Sequence, residues 1–209
     1  MDFITQLIER YPSLCNCEVS IRNACNILIK GFEQKGKLLV AGNGGSAADC
    51  DHIVGELMKS FTKKRSLEDS FLQSIKVIDY DSGKYLADSL QGALPVISLC
   101  NQNSLITASL NDIDGNVIFA QQVQGYGVVG DVFLGISTSG NSKNIIYATV
   151  VAKAKGLKTI ALTGNDGGKL ALLSDVSIII PHTETFIIQE LHLPVYHALC
   201  LQIEEYFFQ

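Results

Sequence analysis

The sequence predicts an α/β fold. It is a doubly wound parallel sheet with helices on both faces, preceded by N-terminal helices and followed by an apolar C-terminal helix. Two observations predict it. First, short apolar runs recur, and each passes into a Gly- or Ser-rich loop and then a helical pattern. Leu38-Leu39-Val40-Ala41 enters Gly42-Asn43-Gly44-Gly45-Ser46. Val132-Phe133-Leu134-Gly135-Ile136 enters Ser137-Thr138-Ser139-Gly140-Asn141-Ser142. Thr159-Ile160-Ala161-Leu162 enters Thr163-Gly164-Asn165-Asp166-Gly167-Gly168. Strand, loop and helix in alternation build a parallel sheet, because parallel neighbours need long crossovers. Second, the runs are apolar at consecutive positions, as in strands covered on both faces.

Taken in order, residues 3–11 place Phe3, Ile4, Leu7 and Ile8 at helical spacing, and Pro12 ends that run. Cys25, Leu28, Ile29 and Phe32 mark a second helix, closed by Gly36. The first strand follows at Leu38, then a helix from Ala47 to about Met58. The later strands are followed by a helix from Lys143 to Lys155 and a short helix after Gly168. Pro95–Leu99 and Val176–Ile180 complete the set of strand candidates. Between them, residues 60–92 read as one or two inserted surface helices. They open on a basic cluster of Lys59, Lys63, Lys64 and Arg65 and carry turn signals at Asp81-Ser82-Gly83. The tail from Glu184 to Phe208 is apolar nearly all round, so it is buried in a core or an interface, and in a chain this small an interface is expected. Pro194 should kink or break that helix.

The 209 residues suit one compact unit, and 47% apolar residues can build its core. Lys+Arg 16 against Asp+Glu 21 gives a net charge of −5, which argues against a nucleic-acid binder. No run reaches the ~18 apolar residues of a membrane span. The Met1-Asp2-Phe3 start has no signal-peptide character. The six cysteines are scattered and form no C-x-x-C pair, so free thiols in a reducing cytoplasm are expected.

The 137–142 loop offers four hydroxyls at a helix N-terminus, where an ordinary N-cap needs one. Such a nest can hold a phosphate monoester without a cationic side chain. Gly42–Ser46 is a second anion-friendly turn. No Gly-Lys-Ser/Thr follows it, so it is no Walker A loop. Gly42-x-Gly44 followed by Ala47 leaves a dinucleotide site open as an alternative. His52 and Glu56 stand four apart on one helix face, where both can reach one metal ion or one substrate. Gln189, His192 and His197 lie in the apolar tail, and two of the chain's four histidines fall there. An imidazole in such a stretch is more often a satisfied core residue than a ligand.

Together, Val40–Ser46, Gly135–Ser142 and Leu162–Lys169 resemble, in order and spacing, the sugar isomerase (SIS) domain family, and within it the phosphoheptose isomerases. The resemblance implies a single SIS domain over 1–209, a flavodoxin-like three-layer sandwich with N-terminal helices at 1–36 and an insertion at 60–92. It implies a metal-dependent aldose–ketose isomerase of a phosphosugar, a zinc cofactor, and a cytoplasmic homotetramer with sites at subunit interfaces, with neither nucleic acid nor membrane as partner. Ser137, Thr138, Ser139 and Ser142 match the phosphate loop. Asn43, Gly44, Gly45 and Ser46 match a substrate-binding turn, and Asn111, Asp112 and Gln189 match further substrate contacts. His52, Glu56, Gln189 and His197 match the zinc ligands, and Glu56 and His197 are also the acid–base pair. His192 matches no role. A branch resembling the DnaA initiator-associating protein lacks the Glu and the final His, so their presence here favours an enzyme over a regulatory module that binds a sugar phosphate. Three features depart from the pattern: the longer 60–92 segment, Ser60 beside Lys59 where an arginine is expected, and Pro194. Gln189 and His197 are eight residues apart, a rise of ~12 Å on a straight helix. They are therefore expected to serve sites in different subunits.

Overall fold

The computed structural model describes residues 1–208. Five strands form one sheet: β1 (Leu38–Ala41), β2 (Val96–Ser98), β3 (Val132–Ser137), β4 (Lys158–Gly164) and β5 (Val176–Ile180). Every pairing is parallel and the spatial order is β2-β1-β3-β4-β5. The predicted strands are all present, to within a residue or two at their ends.

Period-two alternation splits the core into two layers. Leu38, Val40, Val132, Leu134, Ile160, Leu162 and Ile178 point to one face. There they meet α1 (Phe3–Arg10), α2 (Glu18–Glu33), α3 (Gly45–Leu57) and α10 (Thr185–Phe207). Leu39, Ala41, Phe133 and Ala161 point the other way, against α7 (Ile118–Tyr126), α8 (Lys143–Ala154) and α9 (Gly168–Leu173). The result is the expected three-layer sandwich. Asp2 caps α1, its carboxylate accepting from the N–H groups of Ile4 and Thr5.

The chain winds outward from β1 in both directions, to β2 on one side and to β3 on the other. The loops after β1 and β3 therefore open side by side at the strands' C-terminal ends. This is the topological switch point, where such sheets bind ligands.

The 60–92 segment forms two surface helices, as expected, paired as a hairpin: α4 (Asp69–Ile78) and α5 (Tyr80–Ser89). Other expectations are corrected. The hairpin's turn falls at Asp79, whose carboxylate caps the second helix through Ser82 N–H, so Asp81-Ser82-Gly83 lies inside that helix. Two helices that the sequence pattern did not reveal, α6 (Asn103–Asp112) and α7, follow β2. The C-terminal segment stays one helix through Pro194. Proline frees the carbonyl four residues back, but Glu190 is exposed and water can satisfy that group. The apolar tail is also not mainly an interface. Ile188, Val195, Tyr196, Leu199, Cys200 and Ile203 are buried in the chain's own core.

Candidate active site

The candidate groups lie along α3 and α10, which both start near the C-terminal strand ends and pack against each other further along. The turn after β1 needs glycine at Gly44, whose φ of 55° with ψ of −119° is closed to residues with a Cβ. Gly42 and Gly45 are pressed from one side: a Cβ would meet the Ser46 backbone at Gly42 and the Gln189 amide at Gly45. Ser46 is buried, with its N–H on the Asn43 carbonyl.

The 137–142 loop is tied to the loop after β4. Gly164 N–H donates to Thr138 O and Leu170 N–H to Gly140 O, each near 3 Å, and Lys169 N–H donates to Asn141 Oδ1. Gly140 has a φ of 64°, and a Cβ there would collide with the Gly167 carbonyl. Ser142 is the N-cap residue of α8 but its hydroxyl makes no capping bond. It lies 3.0 Å from the Ser137 hydroxyl instead. Thr138 is half-buried and Ser139 exposed. Two of the four hydroxyls thus meet at the N-terminus of α8, a position suited to an anion.

Glu56 lies near the other end of α3, 11 residues or ~16 Å beyond Gly45, and is 3% exposed. Its Oε1 is 3.1 Å from His52 Nε2 and 3.0 Å from His197 Nε2. The helical i,i+4 relation brings in His52, and α10 brings in His197 from 141 residues away. Burial pushes the Glu56 carboxyl up to about 7, against the opposing pull of the Cys200 thiol and Lys59. Burial and the neighbouring His52 and Arg10 hold the His197 imidazole below its usual value.

One donor atom from each of His52, Glu56 and His197 can be chosen so that all three lie within 4.8 Å of one another. Both Glu56 oxygens and His197 Nε2 are buried without a hydrogen-bond partner among the described residues. The close Glu56–His197 approach is off the line of an N–H bond. Unpaired buried polar atoms are destabilising. Imidazole nitrogens and a carboxylate oxygen are also the donors zinc takes. The residues therefore fit a metal ion.

The remaining candidates are placed elsewhere. Gln189 lies against Gly45 at the start of α3, seven residues before His52, or ~10 Å along that helix. Within one chain it does not join the cluster. Asn111 and Asp112 are exposed at the far end of α6, the Asn111 amide donating to Asp112 Oδ1 at 2.7 Å. His192 is fully buried, its Nε2 on the Thr163 carbonyl, and burial lowers its pKa to about 4. It is a neutral core residue. Lys59, beside Ser60, turns its ammonium to the Ser60 carbonyl.

Sequence reasoning missed three contributors. Asn144 exchanges two amide hydrogen bonds with Asn43, at 2.8 and 3.0 Å, and so fixes the β1 turn to the start of α8. Its place just after the phosphate-loop match was the only signal. Arg65, which reads as part of a solvated basic run, is 1% exposed. It pairs with Glu204 at 2.8 Å and donates to the carbonyls of Glu56 and Leu57 at the end of α3. Tyr196, the neighbour of His197, places its hydroxyl 3.0 Å from His52 Nδ1.

The arrangement has parallels among known proteins. A family model described as "SIS domain" matches residues 85–164. The phosphoheptose isomerase of Sulfurimonas denitrificans is 38% identical over 205 residues, 98% of this chain and 90% of that protein. A solved phosphoheptose isomerase from Neisseria gonorrhoeae is similar with a TM-score of 0.72 and 33% identity, over 97% of this chain and 91% of that one. Another, from Francisella tularensis, gives 0.73 and 28%, over 98% and 100%. The likeness spans the N-terminal helices, the loops at the switch point and the helix that carries His197, so this chain belongs to the phosphoheptose isomerase family of SIS-domain proteins.

Proposed function

We propose that the chain is a zinc-dependent aldose–ketose isomerase that converts sedoheptulose 7-phosphate to D-glycero-D-manno-heptose 7-phosphate, for surface polysaccharide precursors. The observation that carries the reading is Glu56: a buried carboxylate between two imidazoles, in a chain whose β3 loop brings two hydroxyls together at a helix N-terminus. Family membership supports phosphosugar isomerisation, and the name of the Sulfurimonas relative supports a heptose.

In this reading the substrate phosphate sits on Ser137, Thr138, Ser139, Ser142 and the N–H groups at the start of α8. Asn43, Gly44, Gly45 and Ser46 line the sugar chain, with Asn111 and Asp112 as further contacts. Isomerisation moves a proton between adjacent carbons through a cis-enediol. It needs a base at carbon and a proton source at oxygen. Glu56, a buried carboxylate whose pKa burial raises in the metal-free protein, is the candidate for the first task. Its Oε1 faces both imidazoles, which leaves Oε2 for the carbon-bound proton. His197 shuttles the proton between the two substrate oxygens. His52, Glu56 and His197, with Gln189 from a second copy of the chain, would hold a zinc ion, which would supply a Lewis acid for the substrate oxygens. That use of Gln189 goes with a homotetramer whose sites lie between subunits.

The test is NMR of zinc-loaded protein with sedoheptulose 7-phosphate in D₂O. Aldose product and deuterium beside the carbonyl are expected. Glu56→Gln should lower both by ~10²–10⁴-fold. A folded, zinc-loaded protein that exchanges no deuterium would exclude this substrate. Silence across hexose and pentose phosphates as well would favour a non-catalytic sugar-phosphate module that regulates a protein partner.

A further inference from the structure

We infer that Tyr196 and Asp49 are positioning residues: the Tyr196 hydroxyl, held by the Asp49 carboxylate, fixes the His52 imidazole with its Nε2 lone pair turned toward Glu56 and His197. The inference deepens the metal reading given above and rests on it.

His52 needs such a restraint. Its side chain is 48% exposed, so packing alone leaves the ring free to turn about its bond to Cβ. A half-turn would carry Nε2 away from the cluster. Tyr196, by contrast, is 2% exposed and anchored in the core on α10. Its hydroxyl lies 3.0 Å from His52 Nδ1 and 3.3 Å from Asp49 Oδ1. Asp49 and His52 are three apart on α3, so carboxylate and imidazole share the face that Tyr196 meets. The rings pack edge to face as well: His52 with Tyr196 at 5.5 Å and 72°, and His52 with His197 at 5.1 Å and 83°.

Proton counting then sets the tautomer. A phenol has one proton, and a carboxylate only accepts. The phenol proton goes to Asp49, so the phenol oxygen accepts from His52, and Nδ1 carries the ring hydrogen. Nε2 is left with a lone pair. Nε2 then faces Glu56 Oε1 at 3.1 Å, with no hydrogen bond to that oxygen among the described residues. A hydroxyl or carboxylate behind a metal-binding imidazole commonly sets both ring orientation and basicity. Here one turn of α10 supplies His197 and, one residue earlier, the group that orients His52 across from it.

The experiment has two readouts. Histidine ¹⁵N NMR of the metal-free protein reports the tautomer of His52, its resonance identified by loss in His52→Asn. Zinc affinity is measured by competition with a chelating dye. The wild type should hold His52 as the Nδ1–H tautomer. Tyr196→Phe keeps the ring and removes the hydroxyl. It should shift His52 toward Nε2–H and weaken zinc by ~10–100-fold. Asp49→Ala should act in the same direction, and serves as the test if Tyr196→Phe does not fold. Tyr206→Phe, which removes an exposed hydroxyl bonded to Glu33, should change neither readout. An Nε2–H tautomer in the wild type, or unchanged tautomer and zinc affinity in both site variants, would overturn the inference. A wild type that binds no zinc would overturn the metal reading instead, and the tautomer comparison would still decide the role of Tyr196.

Discussion

The Glu56 carboxyl is almost fully buried, next to the Cys200 thiol and two imidazoles, and burial raises its pKa to about 7 from an ordinary 4.5. Folding therefore favours its protonated form. The linkage follows: this group's contribution to stability is complete below about pH 4.5 and is lost as pH rises through 7. A carboxamide does not titrate, so Glu56→Gln should escape the loss. In chelator-treated, metal-free protein, wild type and variant should have similar urea midpoints near pH 5. By pH 8 the variant should be the more stable by up to ~3 kcal/mol. A gap that fails to open with pH would show that Glu56 is not held protonated by its surroundings. Together with loss of proton exchange, a wider gap would mark Glu56 as a residue retained for chemistry at a cost in stability.

At the scale of elements, one buried ion pair joins three of them. Glu204 on α10 accepts from Phe61 N–H, Thr62 N–H and hydroxyl, Lys63 N–H and Arg65 Nε, while Arg65 holds the end of α3. Burial alone would raise the Glu204 pKa, but these bonds pull it down to about 2. Its contribution is present above about pH 4.5 and lost as pH falls toward 2. Glu204→Gln leaves Arg65 buried and unpaired, and should cost ~3–5 kcal/mol in denaturant unfolding at pH 7. A loss under ~1 kcal/mol would mean that water reaches the guanidinium. Sequence pattern could not show this pair, because Lys63-Lys64-Arg65 looks the same whether its last member is solvated or buried. Most strands were legible because a run of three or four apolar residues that leads into a Gly- or Ser-rich loop has few other uses. α6 was not, since Ser109 is its only buried residue and no apolar stripe marks it. His52 and Glu56 were legible through helical spacing. The meeting of His197 with Glu56 needs the tertiary crossing of α3 and α10, and only the family resemblance anticipated it.

At the scale of the whole molecule, some apolar surface and one candidate ligand are left without a role inside the chain. The α4–α5 hairpin packs mainly on itself. No residue of α4 is buried, and Phe71, Val77, Ile78, Tyr80 and Tyr85 are exposed. Phe186 and Leu193 are exposed on α10, on either side of Gln189. Gln189 itself lies at the start of α3, about two helical turns from the cluster. If sites form between subunits, Gln189 and Glu56 that act together come from different chains. Glu56→Gln and Gln189→Ala should then each be inactive as pure assemblies. Co-refolded in equal amounts, they should regain activity at about a quarter of the sites, those pairing an intact Glu56 with an intact neighbouring Gln189. If both residues served the site of their own chain, every mixed subunit would carry one lesion and no activity would return. Sedimentation of the mixture distinguishes absence of exchange from absence of complementation. Recovery in an assembly larger than a monomer would establish that the catalytic unit is the oligomer.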